Sequence, residues 1–147
     1  MKLLYKLTVC ILGIAVLSGC AATKAIPNKF SEKLPENITY SVMFESLWYE
    51  LGQETAGLKS LSRYQPSDKI VKQYNLQRQE DKIVTVSGYL RKTSAFDATA
   101  VGLFGCQITE LSDEIVSFTC PVVRLPELLK AEGITGIELP TRIIIRR

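Results

Sequence analysis

Four cysteines and fifteen acidic side chains are the residues of this chain that could do chemistry, because its 147 residues include no histidine. Without histidine, Ser-His-Asp and Cys-His catalysis and His-ligated metal sites are excluded. The acidic residues of the second half come mainly as adjacent neighbours or five apart, spacings at which side chains do not converge: Glu80-Asp81, Asp113-Glu114, and Glu127 with Glu132. The sequence therefore predicts no catalytic residue, no metal site and no cofactor.

Length and charge limit the remaining possibilities. A chain of 147 residues suits one domain. Its 18 basic and 15 acidic residues give a formal charge of +3, and nucleic-acid binding would require a clustered basic face. We therefore expect no nucleic-acid partner.

The first twenty residues are typical of an export signal. Lys2 and Lys6 precede an uncharged, mostly apolar run over residues 7–16. A basic start followed by 7–15 apolar residues describes a secretory signal peptide. As a helix the run would rise only about 15 Å, half of a bilayer core, so a membrane-spanning helix is disfavoured.

The end of this segment, Leu17-Ser18-Gly19-Cys20, resembles the lipobox of bacterial lipoproteins at all four positions. The resemblance implies cleavage after residue 19 and lipidation of Cys20 with palmitate-like acyl chains, which anchor a protein to the membrane. In proteobacterial lipoproteins, Ala21 at the next position implies the outer membrane, facing the periplasm. The alternative is an ordinary secreted protein in which Cys20 is incidental.

The other cysteines follow from this assignment. Cys10 leaves with the signal peptide and Cys20 carries lipid, so Cys106 and Cys120 remain. An even pair in an exported chain predicts a disulfide, since the periplasm is oxidising. Two free buried cysteines are the alternative.

Residues 20–37 hold two prolines and several charges, which predicts a flexible tether after the lipidated cysteine. A helical pattern follows in residues 38–75. Its main helix runs from Thr39 to Gly52, with Asn37 or Thr39 as its expected N-cap. A short second helix runs from Ser67 to Tyr74, with Ser67 as its expected N-cap. The apolar residues of the main helix form one stripe: Phe44, Leu47, Trp48 and Leu51. Core packing is the favoured interpretation of this stripe, and a lipid- or partner-facing surface is the alternative.

Residues 76–147 alternate between strand and helix patterns. The patterns predict a strand over 83–90, a helix over 94–104, a hairpin of 106–111 with 115–123, a helix over 125–132 and a strand over 134–139. This βαββαβ order predicts an α+β, ferredoxin-like sandwich. If the hairpin is centred on residue 113, Cys106 lies opposite Cys120, at nearly the separation that a disulfide requires.

The segment over residues 74–140, above all CPVVRLPELLKAEGITGIELP, resembles a module in the N-terminal, propeptide-like regions of bacterial subtilisin-like serine proteases. The resemblance implies the ferredoxin-like fold and protein binding, and it includes none of the protease's catalytic residues. In those propeptides the open face of the sheet lies on the protease, and the segment after the last strand enters the active-site cleft.

Partner-binding residues are predicted on the same basis. They are Tyr89 and Thr119 on the open face of the sheet, and Ile143, Ile144 and Ile145 in the segment after the last strand. The helix around Trp48 could instead cover the face, and the isoleucines could extend the last strand. The expected function is a non-catalytic envelope lipoprotein that binds an envelope protein; a propeptide-like inhibitor or chaperone of a subtilisin-like protease is the alternative.

Overall fold

A computed structural model describes residues 25–141. The predicted signal peptide, the lipidation of Cys20 and the binding role of Ile143, Ile144 and Ile145 lie outside these residues and stay predictions.

The described chain is a mixed α+β structure with one six-stranded sheet and four helices. In chain order its elements are β1 (Thr39–Tyr40), α1 (Val42–Glu54), α2 (Asp68–Gln73), β2 (Gln77–Arg78), β3 (Val84–Lys92), α3 (Ala98–Gly102), β4 (Gln107–Glu110), β5 (Ile115–Pro121), a 3-10 turn (Val122–Arg124), α4 (Leu125–Leu128) and β6 (Ile134–Glu138).

The sheet is built around β3. Its strand order is β1-β6-β3-β5-β4, and the short β2 pairs with the first residues of β3. All pairs are antiparallel except β1 with β6. The four strands predicted from sequence are thus neighbours in the order β6-β3-β5-β4, and β1 and β2 are two additional short strands.

The predicted hairpin register is confirmed at all four residue pairs of β4 and β5, from Gln107↔Thr119 to Glu110↔Val116. The disulfide between Cys106 and Cys120 is confirmed as well, with Cα atoms 4.3 Å apart. This short distance is typical of an antiparallel pair that exchanges no backbone hydrogen bonds.

The expectation of a flexible tether over residues 20–37 is wrong from Ile26 onward. The Ile26 carbonyl accepts a hydrogen bond from the Leu61 backbone N–H at 2.8 Å, and Pro27 forms a β-bridge with Ser60. Phe30 is only 3% exposed and belongs to the core. This segment packs because its few apolar residues are spaced to reach the core, although its composition resembles a linker.

Helix α1 confirms the predicted stripe, since Phe44, Leu47, Trp48 and Leu51 are all buried. Its N-cap is Ser41, not Asn37 or Thr39 as expected. The Ser41 hydroxyl accepts from the Phe44 and Leu139 backbone N–H groups, and the Ser41 N–H donates to the Ile137 carbonyl. One residue therefore satisfies a helix N-terminus and fixes α1 against the end of β6.

Helix α2 matches the prediction, whereas α3 and α4 are shorter than predicted. α2 has the expected cap, with the Ser67 hydroxyl accepting from the Ile70 N–H. α3 covers only residues 98–102 of the expected 94–104 and is capped by Asp97. α4 ends at Leu128, and the chain turns at Gly133 (φ +82°), a position that a side chain could fill only by clashing with Phe96.

Candidate interaction surface

One face of the sheet is open along most of its length, and only its end at Thr85 is covered, by the side chain of Gln79. Along β3, Val86, Gly88 and Leu90 are buried, whereas the intervening Ser87, Tyr89 and Arg91 are exposed. Because successive strand residues point to opposite faces, this alternation separates a core face from an open face. The open face comprises Ser87, Tyr89 and Arg91 with the residues that pair beside them, Gln107, Thr109, Ser117, Thr119 and Glu138.

Two side-chain contacts, one between hydroxyl groups and one between charged groups, connect neighbouring strands across this open face. The hydroxyl oxygens of Ser87 and Thr119 are 2.8 Å apart, and Arg91 Nη2 donates to Glu138 Oε1 at 3.0 Å. Tyr89 lies opposite Ser117 on one side and Glu138 on the other. The face is thus a polar surface of hydroxyl, amide and charged groups, with the ring of Tyr89 between Ser117 and Glu138.

The predicted site residues Tyr89 and Thr119 both lie on this face. Tyr89 is 45% exposed, and Thr119 is half-buried beside Ser87. The possibility that the helix around Trp48 covers the face is wrong, because Trp48 belongs to the core cluster on the opposite side of the sheet together with Leu90.

A cleft that the sequence did not predict opens at one end of the sheet, with a volume of about 430 Å³. Leu61, Val84 and Val122 form its buried floor, and Arg63 and Lys82 lie at its rim. These residues come from distant segments, so no local pattern could have indicated the cleft. Its lining is apolar with charges at the edge, which suits binding more than catalysis.

One ionisable group that lines this cleft, Tyr64, is held in its protonated state. Tyr64 lines the cleft and donates its hydroxyl to Glu54 Oε1 at 2.8 Å. Burial raises the pKa of Tyr64 far above its usual value, and the hydrogen bond to Glu54 raises it further. Tyr64 therefore stays protonated and cannot serve as a base near neutral pH.

Glu54 is the acceptor at the centre of a small network. Burial acts to raise its pKa, but hydrogen bonds from the Ser67 N–H, at 2.6 Å, and from Tyr64 outweigh it and leave the pKa lowered. The Ser67 N–H belongs to the N-cap of α2, so the carboxylate joins the end of α1 to the start of α2. The network is structural, since it fixes two helices against each other.

Within residues 25–141, no group of three or more cysteine, aspartate or glutamate side chains is arranged to hold a metal ion. No helix of the same residues is long and apolar enough to cross a membrane. Comparison of the chain with protein-family models, with curated proteins and with solved structures gave no match. The resemblances to bacterial lipoproteins and to protease propeptides therefore stay predictions.

Proposed function

We propose that this protein is a non-catalytic, membrane-anchored envelope lipoprotein that acts as a protein-binding or accessory module. The observation that carries the binding role is the open sheet face, where the ring of Tyr89 is 45% exposed among small hydroxyl side chains. Tyrosine supplies a large contact area at low cost in conformational entropy, which is why it is enriched at protein interfaces.

The lipid anchor rests on the lipobox ending at Cys20. Ile26, which is hydrogen-bonded to Leu61, lies six residues after Cys20, so at most about 20 Å of extended chain can separate the two. An anchor of this length holds the domain close to the bilayer surface. Its partner would accordingly be an envelope protein, and the location would be the periplasmic side of the outer membrane of a Gram-negative bacterium.

The strand order supports a finer assignment of the fold. Antiparallel neighbours in the order β6-β3-β5-β4, with α3 and α4 in the two connections, match a ferredoxin-like βαββαβ sandwich. This arrangement, with its uncovered face, also favours the second candidate function, a propeptide-like inhibitor or chaperone of a subtilisin-like protease.

The binding role is tested by photo-cross-linking in the host with the full chain. A benzoylphenylalanine at Tyr89 should give one discrete adduct with an envelope protein. The matched control is Tyr49, which is 67% exposed on helix α1. Thr119→Arg, placed on the same face, should remove the Tyr89 adduct. Equal adducts from both positions, or none from Tyr89, would contradict the proposal.

The second candidate has a separate test. A soluble form lacking residues 1–20 should slow a subtilisin-like protease at micromolar concentration, and removal of residues 141–147 should abolish the effect. If neither a commercial protease of this class nor one encoded near the gene is inhibited, the inhibitor function is excluded and the lipoprotein proposal is unaffected.

A further inference from the structure

Strand β4 is an edge of the sheet with a defined set of unused backbone groups. The Leu111 N–H donates to the Ile115 carbonyl, which fixes the alternation of hydrogen-bonded pairs along the hairpin. Thr109 and Gln107 then bond to β5, whereas the N–H and C=O groups of Ile108 and Glu110 point away from it. No other segment of residues 25–141 bonds to these outward groups.

This edge is short and carries one acidic side chain, but it has no lysine, no proline and no bulge. Natural edge strands carry lysine, proline or a bulge, or are very short. The opposite edge, β1, has two residues, whereas β4 is Gln-Ile-Thr-Glu in regular register with β5. Its single charge, on Glu110, is paired with Lys92 at 3.7 Å.

Exposed leucines flank both ends of the strand. Leu103, which is 86% exposed, precedes β4, and Leu111, which is 58% exposed, follows it. An antiparallel partner of the same sequence would bring the Leu111 end of one strand to the Leu103 end of the other. The outward N–H and C=O groups of Ile108 and Glu110 lie symmetrically about Thr109, so an antiparallel copy of the same strand can pair with all of them, as a two-fold interface requires.

We propose that β4 pairs with β4 of a second copy of this chain, antiparallel, with Thr109 on the two-fold axis. Ile108 of each copy then exchanges backbone hydrogen bonds with Glu110 of the other, which gives about four such bonds. The two Thr109 side chains meet on the open face, a favourable cross-strand pair.

Pairing with the two-fold axis at either neighbour of Thr109 would be less favourable. An axis at Glu110 would set two carboxylates directly opposite each other, which is destabilising. An axis at Ile108 would require the backbone of Cys106, a buried residue held in the disulfide. With the axis at Thr109, each Glu110 remains beside its own Lys92, and the open faces of the two sheets join into one continuous surface. The pairing does not depend on the proposed function.

A register-specific cross-link tests this pairing. At a non-hydrogen-bonded antiparallel pair the Cα atoms are close enough for a disulfide, as they are at Cys106 and Cys120. The full-length chain carrying Thr109→Cys, purified in detergent and mildly oxidised, should give a dimer on a non-reducing gel. Gln107→Cys is the matched control on the same strand and face, and Thr109→Cys should give at least about tenfold more dimer. Wild-type chain treated in parallel gives the background.

A second pair of variants separates strand pairing from random collision. Glu110→Pro removes an N–H that points away from β5, a position where an edge strand tolerates proline. Added to Thr109→Cys, it should abolish the dimer, whereas Glu110→Ala, which keeps the N–H, should not. Equal yields from Thr109→Cys and Gln107→Cys, or a dimer that survives Glu110→Pro in a protein with the Cys106–Cys120 bond intact, would falsify the proposal.

Discussion

The Trp48 indole Nε1 donates a hydrogen bond to the Glu32 carbonyl oxygen at 3.2 Å and so fastens the N-terminal segment to helix α1. The Phe30 ring lies edge-on to the same indole, with ring centroids 5.0 Å apart. The segment that leads towards the proposed lipid anchor is thus part of the hydrophobic core. The domain begins about ten residues earlier than its composition indicates.

Phe30→Ala should test this contact. We expect the free energy of unfolding to fall by about 3 kcal/mol, because the substitution removes a buried aromatic ring and leaves a cavity beside Trp48. Leu103→Ala is the control, since Leu103 is largely exposed and its truncation should change stability by less than about 0.5 kcal/mol. Urea unfolding monitored by the single tryptophan measures both. An unchanged midpoint for Phe30→Ala would mean that residues 26–36 do not contribute to the fold.

The disulfide should be present in protein from an oxidising compartment. Alkylation with and without prior reduction should show no free thiol at Cys106 or Cys120 before reduction. Because the bond closes a loop of about fifteen residues, its reduction should cost about 3 kcal/mol of stability. Full labelling of both cysteines in unreduced, denatured protein would contradict the pairing.

The Glu54 carboxylate should make stability depend on pH. The pKa of Glu54 is lower in the folded protein than in the unfolded chain, so its carboxylate stabilises the fold at any pH above the ordinary pKa of a glutamate. This stabilisation is lost as the pH falls through the lowered pKa. Glu54→Gln should therefore destabilise the protein at about pH 7, by about 0.5–1 kcal/mol because the group is solvent-exposed. The difference from wild type should shrink as the pH falls below the ordinary pKa of glutamate.

Glu132→Gln is the matched control for Glu54, because Glu132 is exposed and makes no hydrogen bond or ion pair within residues 25–141. Urea midpoints across the pH range compare the three proteins. A constant penalty for Glu54→Gln at every pH, or an equal penalty for the control, would show that its charge does not support the α1–α2 junction.

Local patterns predicted the elements whose partners are close in sequence. The hairpin register followed from a polar turn between two apolar runs, and the Ser67 cap from a serine before an amphipathic turn. Strand β1 escaped prediction because two residues carry no periodicity and its partner β6 lies almost one hundred residues away. The tether was misjudged because composition does not reveal that one residue, Phe30, reaches the core.

The same limit applies to the candidate site. Alternation along β3 correctly assigned Tyr89 to the face opposite Leu90. Whether a helix covers that face depends on the direction of α1 from Ser41, which is set by a contact with Leu139 at the far end of the chain. The cleft beside Tyr64 could not be predicted for the same reason, since its walls meet only in three dimensions.

The intact mass of the protein released from host membranes tests the lipoprotein assignment most directly. The account predicts a chain that begins at Cys20, lacks residues 1–19 and carries the added mass of two or three acyl groups. Cys20→Ser should leave a full-length, unmodified precursor. Recovery of wild-type protein with an unmodified Cys20, or as a soluble periplasmic species, would contradict the account.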